Sequence, residues 1–211
     1  MMSSEIKANK ISPATGTAFT SGDSGDTFTV PSGTTLDIAS GATLDTTGAT
    51  VSGLTTGKVL QVVQTVKSDT FTGTSNGSEI SVTGMSATIT PTSSSSKIMI
   101  SVVLNYSCQA TTWGAYLKRG TTIIGVGATA GSRQSVASGL GSTVDYNQQL
   151  NGKIEYLDSP ATTSATTYQL FAINDNTVQI AINRGAVGSG DGDGSASKRS
   201  ISTITLMEIG A

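Results

Sequence analysis

The chain has 211 residues, a formal charge of −2 and a mean hydropathy of +0.02, which gives neither the basic footprint of nucleic-acid binding nor the net charge of a disordered polyelectrolyte. Charged residues make up only 12% of it, about half the usual share, so its polarity rests on Ser, Thr, Asn and Gly, which suit turns and the solvent faces of sheets. Histidine is absent, which removes the commonest general base and metal ligand, and no run of about 18 apolar residues is available to span a bilayer.

Residues 1–24 read as an extended arm. Ile6, Ile11 and Phe19 are spaced apolar anchors, and Pro13 and Gly16 interrupt any helix, so the arm is expected to order on contact with a larger assembly. The opening MMSSEIKANKIS lacks the unbroken apolar run of a secretory signal, and the expectation is synthesis in a cytoplasm without membrane insertion. Residues 25–57 contain the one internal repeat. Gly33, Gly41 and Gly48 stand 8 and 7 residues apart, with Phe28, Val30, Leu36, Ile38, Leu44 and Val51 alternating with hydroxyl residues between them. A strand alternates faces with period 2, so each unit offers one or two apolar side chains to one side, too few to bury a core. Such a face must meet copies of itself. The expectation is a thin β shaft formed by identical chains, three in number, with those six side chains at its centre; the competing reading is a Ser/Thr/Gly linker.

Taking the first 57 residues from 211 leaves 154, enough for one core, in residues 58–211. Strand-like runs recur at 58–67, 79–90, 97–108, 115–118, 121–126, 144–157, 166–173, 177–183 and 200–209, separated by breaker clusters, and no segment sustains a helical period. Nine short strands predict an all-β sandwich or barrel. The turn at 174–176 has the chemistry of a tight hairpin, and Arg119 and Gly120 form another. If successive strands run alternately out and back, the loops at 68–78, 109–113, 128–143 and 174–176 share the end far from the shaft.

The chemistry for catalysis is sparse. Asp145, Glu155, Asp158 and Asp175 are scattered; Asp158 and Asp175 sit in turn sequences, where Asp bonds its own backbone, and Glu155 has Lys153 on the same face of a strand. The GDGDG run at 190–194 lacks the distal glutamate of a calcium loop. Cys108 lies in an apolar run as a small core residue. No catalytic residue, metal or cofactor is therefore expected. A binding surface would use loop side chains suited to neutral sugars, with Gln109, Trp113, Arg133 and Asp175 as candidates; Trp113 reads either as core or as a stacking platform.

Two strings carry a resemblance: YLDSPATTSATTYQLF at 156–171 and STITLMEIGA at 202–211. Both resemble the C-terminal domains of bacteriophage tail-fibre proteins, especially of marine and cyanobacterial phages. The opening EIKANKISPATG and the Gly-spaced repeat resemble the virion-attaching end and shaft of such fibres. The resemblance covers about 26 residues closely and the first 54 loosely, and it leaves 107–150 uncovered. It implies a homotrimer with a jelly-roll knob, held on the virion by the N-terminal arm and contacting a host surface glycan or receptor with the knob. A capsid decoration or head fibre would share this architecture, and a glycan-degrading tailspike would need a carboxylate pair at a subunit seam.

Overall fold

The computed structural model describes residue 27 and residues 29–43, 58–108, 112–141, 143, 148–185 and 198–210. The chain divides into two units, Met1–Gly53 and Leu54–Ala211. In the first, every described residue from 29 to 43 is exposed, and the stretch makes two turns of one design. Thr34 N–H donates to the Pro31 carbonyl (3.1 Å) and Ala42 N–H to the Ala39 carbonyl (3.0 Å), with Gly33 and Gly41 at φ +84° and +85° in the third position of each. A type II turn requires a positive φ there, which is why the repeat keeps its glycines. Val30 just before the first turn and Leu36 and Ile38 between the two are exposed. Phe28, Leu44 and Val51 of the expected shaft core, and Ile6, Ile11 and Phe19 of the arm, lie outside the described residues.

The second unit is built from β1 (Val59–Lys67), β2 (Phe71–Ser75), β3 (Ile80–Ile89), β4 (Lys97–Cys108), β5 (Trp113–Arg119), β6 (Thr122–Ile124), β7 (Ser138–Leu140), β8 (Leu150–Asp158), β9 (Thr166–Ile173), β10 (Val178–Ile182) and β11 (Ser202–Ile209), all paired antiparallel in two sheets. The described residues contain no helix. In the first sheet β10 and β11 lie end to end along one side of β4, with β8 on the other, and β1 and β2 lie end to end beside β11 and β10. The second sheet runs β3-β9-β5-β6, with β7 also on β5. Counting each interrupted strand once, the first sheet takes strands one, eight, three and six of the chain and the second takes two, seven, four and five. That order is the double Greek key of a jelly roll, closed face to face as a sandwich.

Burial follows the pleat. Along β4 the side chains of Ile98, Ile100, Val102, Leu104, Tyr106 and Cys108 point inward while their neighbours face out, and β11 alternates in the same way. Opposite them stand Ala115 and Leu117 of β5, Tyr168 and Leu170 of β9, and Val82 and Met85 of β3. Val82 and Met85 both reach the core because β3 bulges between Ser81 and Ser86 around Gly84 (φ +81°). Cys108 is fully buried as expected, and burial pushes its thiol pKa up to about 11.

One residue stitches the interrupted strands. Asn183, fully buried at φ 62°, donates its side-chain amide to the Lys67 (2.8 Å) and Asp69 (2.9 Å) carbonyls and accepts from Ser202 Oγ (2.7 Å). Asn183 follows the last residue of β10, and Ser202 is the first of β11.

All nine expected strands are present, and two more were not expected. In β2, FTGTS, the hydroxyls and Gly73 read as a turn, yet the strand pairs in full register with β10. Its glycine leaves room for Ile80, whose Cδ1 would lie 2.4 Å from a Cβ there and would have to shift. The hairpin across Gly120 forms between β5 and β6. The expected hairpin at 174–176 does not, since β9 belongs to one sheet and β10 to the other. Asp158 also departs from its turn reading: it is buried, takes both carboxylate oxygens to Arg119 Nη1 (3.0 and 2.9 Å) and accepts from Tyr168 Oη (2.7 Å).

Candidate functional site: a loop-end cavity

The turn at 174–176 ties four loops together. The Asn174 carbonyl accepts from Gly77 N–H (2.8 Å) and Ser75 Oγ (2.9 Å), and its side-chain amide donates to the Thr112 carbonyl while its Oδ1 accepts Asn176 N–H (2.6 Å). Next to it, Asp175 accepts from Gln134 Nε2 (2.5 Å). The loops that strand alternation groups at one end are thus neighbours. The grouping survives the unexpected strand β2 because β2 continues the direction of β1 rather than reversing it.

Between these loops lies an open cavity of about 590 Å³, bordered by Trp113, Ser132, Arg133, Val136, Ile173 and Asp175, among others. Its floor depends on Gly114, where a Cβ would lie 2.4 Å from Val136 Cγ1 and 3.4 Å from Ile173 Cγ2. The loop carrying Val136 is closed by Gly127 N–H donating to the Val136 carbonyl (3.2 Å) and by Ala137 N–H donating to the Ala115 carbonyl (2.9 Å). A turn across Gly131 (φ +61°), with Arg133 N–H on the Ala130 carbonyl (3.3 Å), presents Arg133 to solvent.

Three of the four candidate binding residues therefore meet at one place: Trp113, Arg133 and Asp175. Gln109 lies outside the described residues. Trp113 is not a stacking platform. It opens β5 on the inward-facing side of the strand and is only 1% exposed, so its ring is core. Its Nε1–H, however, is buried without an acceptor among the described residues, an arrangement that costs about 1–3 kcal/mol unless something is supplied to it. The Arg133 guanidinium has no hydrogen-bond or ion-pair partner among the described residues.

The carboxylates considered for catalysis stay apart. Glu155 is exposed and pairs with Lys153 (2.9 Å) on the outer face of β8, as its spacing suggests, while Asp158 is buried and Asp175 borders the cavity. Asp145 lies outside the described residues. On the outer face of the second sheet, Glu79 joins Tyr116 and Lys118, with Lys118 Nζ 4.5 Å from the Phe171 ring centroid. Burial, followed by the hydrogen bond to Glu79, drives the Tyr116 phenol upward, and Lys118 and then Tyr116 hold Glu79 down. Every charge in this cluster is paired. Sequence reasoning missed it because Glu79 sits in a loop far along the chain from β5.

No family model and no curated protein matches the chain. Among solved structures it is similar to a mutant VP2 protein of infectious bursal disease virus in derived T=1 particles, at a TM-score of 0.37 and 12% identity over 71% of this chain and 37% of that one. It is also similar to infectious bursal disease virus of the Gx strain, at a TM-score of 0.34 and 15% identity over 71% and 41%. This chain spans about two fifths of the length of those proteins, and a likeness at these scores carries no inference about function.

Proposed function

We propose that this protein is a structural, adhesive component of a phage virion: a homotrimeric fibre attached by its N-terminal arm, whose jelly-roll knob contacts host surface glycan without cleaving it. The observation that carries this reading is the exposed apolar face of the shaft. Leu36, 58% exposed, and the exposed Ile38 lie between two glycine turns of one design, with the exposed Val30 just before the first. A regular apolar face with no core of its own gains stability only against copies of itself.

A feature of the knob also supports association with copies of the chain. Across the outer face of its first sheet, Val62, Met207, Met99 and Leu157 stand in direct register on four adjacent strands, and Val62 and Leu157 are 57% and 47% exposed. A contiguous apolar row of this kind marks an interface, and a second copy of the chain is the partner that the shaft already brings near. The adhesive part of the reading rests on the cavity and its four tied loops. The virion part rests on the resemblance of residues 156–171 and 202–211 to tail fibres.

Light scattering on the purified chain tests the assembly, with three times the 21.3 kDa chain mass expected. A stable monomer would remove both the shaft and the apolar row as supports. Electron microscopy of particles labelled with an antibody to residues 58–211 tests the location: label at the tail supports a tail fibre, label over the head supports a head fibre, and unlabelled particles overturn the virion reading.

A further inference from the structure

We propose that the loop-end cavity is a subsite for a carboxylate-bearing saccharide, with Arg133 as the residue that recognises the acid. This rests on the reading of the knob as an adhesin and gives the class of glycan it selects.

The inference comes from which hydrogen-bonding groups the cavity has already used. Asn174 spends its amide on the Thr112 carbonyl and its oxygen on Asn176 N–H. Asp175 accepts from Gln134. The second oxygen of Asp175 and the side chains of Ser132, Gln134 and Asn176 also border the space, so donors and acceptors are both present, but the one cation among the described lining residues is the Arg133 guanidinium, which only donates. A ligand that pairs with it must therefore bring acceptors. A guanidinium presents a planar fork that a carboxylate meets with two parallel hydrogen bonds, a match that a sugar hydroxyl does not make. Asp175 sits in the same cavity, so a singly charged acid is tolerated better than a densely charged anion.

The rest of the lining suits a sugar ring. Val136 and Ile173 give an apolar wall for its C–H face, and the Ser132 hydroxyl and Asn176 amide border the same space and can exchange hydrogen bonds with ring hydroxyls. A volume of about 590 Å³ lies within the usual range of ligand sites of about 300–1,000 Å³. The cavity is assembled from the part of the chain that the tail-fibre resemblance leaves uncovered, together with the turn that ties its loops.

The test uses the full chain, with trigalacturonate, its fully methyl-esterified form and a sulfated trisaccharide as titrants in calorimetry at 50 and 300 mM salt. Trigalacturonate is expected to bind weakly, with at least a 10-fold preference over its ester and a loss of several-fold in affinity at the higher salt. Arg133→Gln, at an exposed site that does not bear on folding, should remove at least 10-fold. Asp175→Asn should leave affinity for the acid unchanged or raise it. Equal binding of acid and ester, stronger binding of the sulfated sugar, binding indifferent to Arg133→Gln, or no binding of trigalacturonate overturns the subsite. If trigalacturonate fails while a neutral glycan binds the same loops, the adhesin reading survives and only the acid preference falls. A chain that also fails to adhere to any host cell loses both.

Discussion

Glu208, inside the string STITLMEIGA, offers the sharpest test of how this sandwich is held together. Its carboxylate is fully buried and takes three donors: Gln61 Nε2 on Oε2 (2.6 Å), and Thr92 N–H (2.8 Å) and Thr92 Oγ1 (2.7 Å) on Oε1. Burial alone would raise its pKa, but the hydrogen bonds together outweigh it and hold the carboxyl down at about 2, against an ordinary 4.5. A carboxyl depressed in the folded state stabilises above its unfolded pKa. That contribution, about 3 kcal/mol at most, is present above pH 4.5 and drains away as the pH falls toward 2. In Glu208→Gln one of the two oxygens becomes an NH₂ group facing a donor, so the variant should lose about 2–4 kcal/mol at neutral pH. Denaturant unfolding followed by the fluorescence of Trp113, the only tryptophan, measures both chains at pH 7, 5, 4 and 3. The gap between parent and variant should be widest at pH 7 and 5 and should close between pH 4.5 and 2. A gap that stays constant over that range would falsify the assignment of a buried, ionised Glu208.

Asn183→Ala should cost about 3 kcal/mol, because it deletes the amide bridging Lys67 and Asp69 and leaves a Cβ residue at φ 62°; Asn183→Gly relieves the backbone and should cost about 1 kcal/mol less in the same unfolding assay. If the proposed trimeric shaft forms, Leu36→Asp brings three carboxylates together at its axis and should prevent assembly in light scattering or lower the melting temperature by many degrees; an unchanged melt places Leu36 elsewhere. Gly114→Ala should leave the far-ultraviolet dichroism intact, cost about 1–3 kcal/mol by driving Val136 off the cavity floor, and weaken saccharide binding at least 5-fold.

Much of this fold was legible because period-2 burial is written plainly in its long strands. The run at 97–108 alternates in burial as far as Tyr106, and β4, the strand it forms, is flanked by β8 on one side and β10 and β11 on the other. What was not legible were relations between strands. The turn chemistry of Asn174, Asp175 and Asn176 fixes a reversal of the chain but not whether the next strand stays in its sheet, and here it crosses to the other. β2 was hidden because its glycine, a turn signal in sequence, serves to admit Ile80. Trp113 was ambiguous because one residue at the mouth of a sandwich does two things: its ring is core, and the residue borders a cavity. Gln134, which fixes Asp175, carries no sequence signal at all, since a glutamine in a loop is ordinarily solvated.

The two strings that carry the tail-fibre resemblance hold the residues that close the sandwich away from the cavity loops. In YLDSPATTSATTYQLF, Asp158 fixes the end of β8 by joining Arg119 of β5 to Tyr168 of β9, so one carboxylate links both sheets. In STITLMEIGA, Glu208 clamps the end of β11 to the loop through Thr92. Each is a buried charge whose removal strands its partners, a cost that confines what substitutions a working fold can accept there. The cavity loops carry no such penalty: Arg133 is exposed, and the turn that presents it is held by one backbone hydrogen bond across a glycine. A jelly roll built this way separates the buried charges that decide whether it folds from exposed loop residues such as Arg133, which can change without stranding a partner.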